Sequence, residues 1–253
     1  MGPRFGRLYT SAVLRPLAEQ LTAELDMRPG DSACDLMCDS GALGRALGGA
    51  VGTRGGVLLV DTDNAVLGAA AGDVAATGCA VTTAIADAHG IRVTGASCDR
   101  VASLCTAGFW PGASLVAEAE RMTRSDGIAA VLTWDPASPP AHEDALVDAL
   151  RDEAGIHSRF LEQCLQTAGV AERLDWDRSS IRDVVRFDGI AHYWAAMVVE
   201  RPVAAELAHE SDAALGAVRA ACERALQPFT AVDGTMRIPV TAILLRRRGS
   251  DES

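Results

Sequence analysis

The stretch Ala33-Cys34-Asp35-Leu36-Met37-Cys38-Asp39-Ser40-Gly41 decides the fold, read together with Val57-Leu58-Leu59-Val60-Asp61 downstream. A short apolar run, Ala33 to Leu36, that breaks into Cys38-Asp39-Ser40-Gly41 is a buried strand entering a tight turn. Ala42 to Leu47 then reads as a helix and Gly55-Gly56 as a turn. Val57 to Val60 is a second strand with β-branched ends, stopped by Asp61. Strand, turn, helix and second apolar strand make the unit from which parallel sheets are built.

Outward from this unit the alternation continues. Upstream, Val13, Leu14, Leu17, Leu21 and Leu25 recur at helical spacing from Ser11 to Leu25, and Pro29-Gly30 ends that helix. Downstream, Ala65 to Thr77 is helical, and Val81 to Ile85 and Arg100 to Cys105 are strands. Ser114 to Met122 is helical and Ile128 to Trp134 is a fifth strand. After Pro136, Pro139 and Pro140 come helices near Glu143 to Glu153 and Ser158 to Thr167. An aromatic segment from Ile181 to Glu200 follows, with Phe187, Tyr193 and Trp194 on a helix, then a helix from Ala214 to Leu226 and a strand from Ile238 to Leu245. The pattern predicts an α/β, Rossmann-like, doubly wound and mainly parallel sheet of about seven strands with helices on both faces. Residues 1–253 form one domain: a nucleotide-binding-type half over 1–136, a helical cap or insertion over 137–200, and a closing helix and strand over 201–253.

Composition narrows the function classes. A net charge of −11 argues against nucleic acid or an anionic membrane as partner, because phosphate binding needs clustered cations. All 23 basic residues are Arg, so no Lys serves as Schiff base or phosphate anchor. With the abundant Ala, this points to a GC-rich genome such as an actinobacterium's. The seven Cys include no C-x-x-C pair and read as reduced thiols of a cytoplasmic protein, and the five His show no metal-ligand spacing. No apolar signal core and no run of membrane-spanning length is present in the sequence.

Six segments in order resemble class I S-adenosylmethionine (SAM)-dependent methyltransferases, of the small-molecule kind similar to ubiquinone-pathway enzymes. Pro29-Gly30 matches the lead-in to the first strand. Asp35 to Gly41 takes the place of the D-x-G-x-G-x-G loop, Val60-Asp61 ends strand two, and Ala86-Asp87-Ala88 matches the adenine-side loop. Cys98-Asp99-Arg100-Val101 precedes strand four, and Ala117-Glu118 with Arg121, then Ser125-Asp126-Gly127, precedes strand five. The resemblance implies a cofactor site built from Asp35, Met37, Gly41, Asp61, Asp87 and Ala88, with Asp61 on the ribose hydroxyls. In such loops the glycines let the backbone turn tightly and approach the ligand.

Two of those glycines are missing. Met37 and Asp39 stand where the resemblance expects Gly, so a thioether and a carboxylate are expected to intrude on the cofactor's methionine arm. Asp39, Asp61, Asp63 and Asp87 then line the carboxyl ends of the strands, where open α/β sheets bind ligands. Crowded carboxylates suit a general base and a cationic substrate, so Asp61, Asp39 and Asp87 are the catalytic candidates, with Asp61 as first choice. Trp110, Tyr193 and Trp194 are candidates for the substrate wall, and His89 for a second base. These residues predict a methyltransferase-fold enzyme of natural-product biosynthesis, with no SAM or weakly bound SAM. It would catalyse a cyclisation or intramolecular displacement, such as small-ring formation, on an amine-bearing small molecule, free or carried on another protein. A conventional small-molecule methyltransferase and a non-catalytic partner subunit, in a homo- or hetero-oligomer, are the alternatives. From the loop alone, the SAM dissociation constant is expected at about 0.1 mM or weaker by calorimetry, and Met37→Gly with Asp39→Gly is expected to tighten it.

Overall fold

Along each central strand, successive side chains enter opposite layers. Ala33 packs into one core and Cys34 into the other, and the same alternation separates Ala102 from Val101 and Ile128 from Ala129. That is the period of strands buried on both faces. The computed structural model describes residues 4–87, 90–105, 109, 112–165 and 176–249. Its strands are β1 (Ser32–Leu36), β2 (Gly56–Asp61), β3 (Ala80–Asp87), β4 (Gly90–Ile91), β5 (Cys98–Leu104), β6 (Thr123–Trp134), β7 (Asp177–Phe187) and β8 (Met236–Arg248). They form one sheet in the order β4-β3-β2-β1-β5-β6-β8-β7. Strands β3, β2, β1, β5 and β6 are parallel, β8 runs antiparallel between β6 and β7, and β4 is a short antiparallel return on β3. The order reverses between β1 and β5, and such a switch point opens a crevice at the carboxyl ends of the strands.

Helix α1 (Arg7–Tyr9) runs through a π-helical turn, Thr10–Leu14, into α2 (Arg15–Ala23). Helices α3 (Ala42–Val51) and α4 (Asn64–Ala75) follow, then α5 (Gly112–Met122), α6 (Ala141–Ala154) and α7 (Arg159–Leu165). The larger core lies under α2, α3, α4, α6 and the late helix Asp212–Leu226, whereas α5 supplies the smaller core on the other face. Across β1, β2, β3 and the start of β5, a groove of about 870 Å³ runs past Leu58, Thr82, Ala84, Val93 and Cys98.

Residues 177–187 correct the sequence reading, which placed a helical cap over 137–200. They form the edge strand β7, paired with β8 from Asp177↔Arg246 to Phe187↔Met236. Its inward positions Ile181, Val185 and Phe187 are buried, while Arg178, Arg182 and Arg186 alternate with them toward solvent. The alternation begins only at Ile181, after four exposed residues, and no apolar run marks the strand.

Charge is buried in the larger core. Glu143 of α6 and Arg201 have no exposed side-chain surface and form a two-pronged pair, Nη2 to Oε1 at 3.0 Å and Nη1 to Oε2 at 3.1 Å. The Tyr9 hydroxyl donates to Glu143 Oε1 at 2.8 Å. Neighbouring His142 is fully buried and neither ring nitrogen has a partner. Burial pushes its pKa down to about 4, outweighing the Glu143 carboxylate beside it.

Two outcomes follow from this core. Arg201→Ala strands a buried carboxylate and is expected to cost roughly 3–5 kcal/mol by urea unfolding, whereas Glu143→Gln with Arg201→Met costs less than the single change. For His142 the folded-state pKa lies below the unfolded one, near 6.5. Its contribution is therefore complete above pH 6.5 and is lost as pH falls toward about 4, on the order of 3 kcal/mol in all. His142→Leu should flatten the fall in urea midpoint between pH 6.5 and pH 5.

Candidate functional site

Because β1 and β2 pair in register, with Leu36 opposite Val60, the loops leaving them share one crevice. Asp35 sits one residue before the end of β1, Asp61 ends β2 and Asp87 ends β3. Asp35, Asp39 and Asp61 are buried, with 1%, 1% and 0% of their surface exposed, whereas Asp87 is exposed. The loop after β1 keeps the trace of a glycine loop without two of its glycines: φ is +59° at Met37, +42° at Asp39 and +74° at Gly41. Left-handed backbone at the two residues that carry a Cβ costs about 1–2 kcal/mol each. Packing and hydrogen bonds offset that strain. Met37 lies in the smaller core with Leu36, Val60, Ala86 and Leu115, and the Asp39 amide donates to Asp61 Oδ2 at 3.1 Å.

Into this crevice comes Arg4, from the segment that precedes α1. Its guanidinium donates to Asp61 end-on, Nη2 to Oδ2 at 2.9 Å and Nη1 to Oδ1 at 3.4 Å, and its Nε lies 3.2 Å from Asp39 Oδ2. The Asp39 carboxylate also accepts the backbone N–H of Arg4 at 2.9 Å and of Phe5 at 3.0 Å. Asp61 is occupied further: Oδ1 accepts the amides of Thr62 at 2.7 Å and Asp63 at 3.3 Å. A carboxylate has roughly four lone-pair sites, and the protein itself uses them all.

Rings fill the space around this ion cluster. The Arg4 guanidinium lies 5.0 Å from the Phe109 ring centre. Phe5, 2% exposed, stacks on Tyr9 at 5.0 Å and meets Phe109 edge-on at 6.0 Å and Phe160 at 6.1 Å. The buried Arg201 guanidinium sits over Tyr9, Phe160 and Phe5 at 4.4, 4.9 and 5.6 Å. Charge-on-ring contacts and ring packing both favour keeping the N-terminal segment seated.

The remaining sequence candidates fall in different places. The Asp35 carboxylate accepts the Gly44 amide at 2.7 Å, tying β1 to α3, and burial, then Asp61 and Asp39, push its pKa well up. A Cβ on Gly44 would lie 2.6 Å from Leu59 Cδ2 and 3.2 Å from Asp35 Oδ2, so a larger residue there would have to displace both side chains. Burial also raises the Asp39 pKa, with Arg4 opposing. Asp63 is the N-cap of α4, accepting the Ala65 amide at 2.7 Å. Asp87 lines the sheet groove rather than the Arg4 cluster. Tyr193 is fully buried, donates to the His142 carbonyl at 2.7 Å and meets Phe187 edge-on, and Trp194 packs half-buried on the same core. Cys38 is buried, and burial and the nearby acids raise its pKa strongly, away from a reactive thiolate. Ala88, His89 and Trp110 lie outside the described residues. Among the described residues no group of His, Cys, Asp and Glu could hold a metal ion, and no helix is long and apolar enough to cross a membrane.

Solved structures of similar shape decide the fold class. A protein named as a type II methyltransferase from Anaeromyxobacter dehalogenans matches with a TM-score of 0.60 at 19% identity, over 98% of each chain. The chain has the class I methyltransferase fold. A second structure, named as a methyltransferase from an antibiotic biosynthesis pathway of Anabaena variabilis, matches at 0.58 and 14% identity over 91% of this chain and 96% of its own. A geranyl diphosphate methyltransferase in complex with SAM matches at 0.51 and 17% identity, over 93% of this chain and 85% of its own. No family model matches the sequence, and no curated protein is significantly similar to it.

Within this methyltransferase fold, the residues present do not fit SAM. The acid expected on the ribose is saturated by Arg4 and by amides, and the side chain at the second lost glycine binds the N-terminal backbone. Sequence reasoning missed Arg4, Phe5 and Phe109. The only signal for Arg4 was a pair of cations, Arg4 and Arg7, ahead of the first predicted helix in a strongly acidic chain. A double-mutant cycle of Arg4→Gln and Asp61→Asn, followed by urea unfolding, should give a coupling of about 1–3 kcal/mol, and additive effects would mean the pair is not formed in solution.

Proposed function

We propose that this chain is a methyltransferase-fold protein that does not transfer methyl from SAM and serves as a non-catalytic partner subunit. The observation that carries the reading is the seating of Arg4 on Asp61 and Asp39, which leaves neither carboxylate free to hold a ribose or to take a proton. A general base must reach the proton it removes within hydrogen-bond distance, and both acids are already enclosed by Arg4 and the rings of Phe5 and Phe109. What the chain does offer is surface. The groove along β3, β2, β1 and β5 is open, and among the described residues the outer edge of β3 pairs only with the two residues of β4. An open sheet face beside such an edge suits docking of a second chain.

A second reading keeps one observation of its own. The group that fills the crevice is a cation, which is the charge that an amine substrate for ring closure would bring. In that reading Arg4 leaves, the amine takes its place, and Asp61 becomes the base.

The two readings separate in one set of measurements. Calorimetric titration of the unmodified chain with SAM and with its demethylated product should give no binding tighter than about 1 mM. Micromolar SAM affinity would restore a conventional methyltransferase. Co-expression with the enzymes encoded by neighbouring genes should yield a complex whose activity is unchanged by Asp61→Asn. A fall in turnover of about 10²–10⁴ with that complex intact would instead make Asp61 a catalytic base.

A further inference from the structure

We propose that the crevice over Asp39 and Asp61 is a guanidinium-binding site, closed by Arg4 in the resting chain and open to a small alkylguanidinium when Arg4 withdraws. The inference deepens the closed-crevice reading and rests on it. Three independent features converge on the guanidinium. Two buried carboxylates lie on one side, and one of them, Asp61, is presented edge-on so that both oxygens face both terminal nitrogens of a planar fork. That side-by-side geometry selects a guanidinium over an ammonium, whose three donors point apart. The Phe109 ring supplies a π-face 5.0 Å from the central carbon, the arrangement that favours a flat cation. The side chain of Arg4 also keeps 13% of its surface exposed, so the seat has a mouth to solvent beside the N-terminal segment.

Charge favours refilling. With Arg4 withdrawn, Asp39 and Asp61 face each other across a buried space, with Asp35 behind them, and a soluble cation of matching shape relieves the repulsion. The N-terminal segment is held by contacts that do not involve the guanidinium, the Arg4 and Phe5 amides on Asp39 among them. Phe5 stays stacked on Tyr9, and the Leu8 amide donates to Glu200 Oε2 at 2.7 Å, so the guanidinium can leave while the segment remains attached. The ligand class is therefore a small molecule that ends in a guanidinium.

The test is cation rescue of full-length Arg4→Ala. Methylguanidinium is the probe, with methylammonium, urea and sodium as controls at equal concentration, read by thermal unfolding and calorimetry. At ten times its dissociation constant, methylguanidinium should raise the variant's Tm by about 3 °C or more and leave the unmodified chain unmoved. Methylammonium should do less, urea and sodium nothing, and Asp61→Asn in the Arg4→Ala background should abolish the effect. If Arg4→Ala purifies unfolded, methylguanidinium but not sodium should restore its circular dichroism. Equal responses of variant and unmodified chain, or no restoration of an unfolded variant, overturn the proposal. SAM titrated into the unmodified chain keeps the two readings apart. Tight SAM binding there defeats the non-methylating reading, whereas failed rescue without such binding defeats only the guanidinium site.

Discussion

The guanidinium of Arg4, held between Asp61 and Asp39, is the interaction on which the functional half of the molecule depends. Three carboxylates converge in a space that is almost entirely closed to water, and at low dielectric their repulsion would favour protonating or expelling at least one. A single planar cation bridges the pair at the mouth and offsets one of its two charges. It also brings its own backbone amide and that of Phe5 to Asp39, so the N-terminal segment satisfies acceptors that a ligand would otherwise meet. The loop after β1 can keep a left-handed trace at Met37 and Asp39 because both side chains are engaged, one in the core and one in this ion cluster.

The same segment links two buried ion pairs. Phe5 and Tyr9 lie against the Arg201 guanidinium, and Tyr9 donates to Glu143, so the seat of Arg4 is continuous with the charged centre of the larger core. Replacing a buried pair with apolar residues is often neutral or stabilising, so such pairs serve geometry more than stability. Here they fix the N-terminal segment over the switch point of the sheet. Open α/β sheets bind ligands at the carboxyl ends of their strands, and here the N-terminal segment lies in that place.

Most of the fold was legible in the sequence. The strands from Ala33, Val57, Val81, Arg100 and Ile128 were readable because burial on both faces leaves apolar runs with polar breaks. β7 was not, since an edge strand with Arg on its outer face has no apolar run. The positions of Asp35, Asp39 and Asp61 at the strand ends were readable from spacing, and so was the cost of losing the glycines at 37 and 39. Their occupancy was not. No local pattern ties Arg4 to an acid 57 residues away, because that pairing exists only once the sheet has formed. Tyr193 illustrates the opposite error, since an aromatic beside His192 on a helix looks the same in sequence whether it lines a pocket or fills a core.

The most direct measurement is the side-chain nitrogen spectrum of arginine-labelled protein, with Arg4 assigned by its loss in Arg4→Gln. A guanidinium clamped through both Nη atoms by a buried carboxylate rotates slowly about its Cζ–Nη bonds and exchanges its protons slowly. Separate, slowly exchanging Nη signals for Arg4 that merge in Asp61→Asn are the expected result. An averaged, fast-exchanging Arg4 signal, like that of the exposed Arg151, would mean that the crevice stands open and would contradict a sealed site.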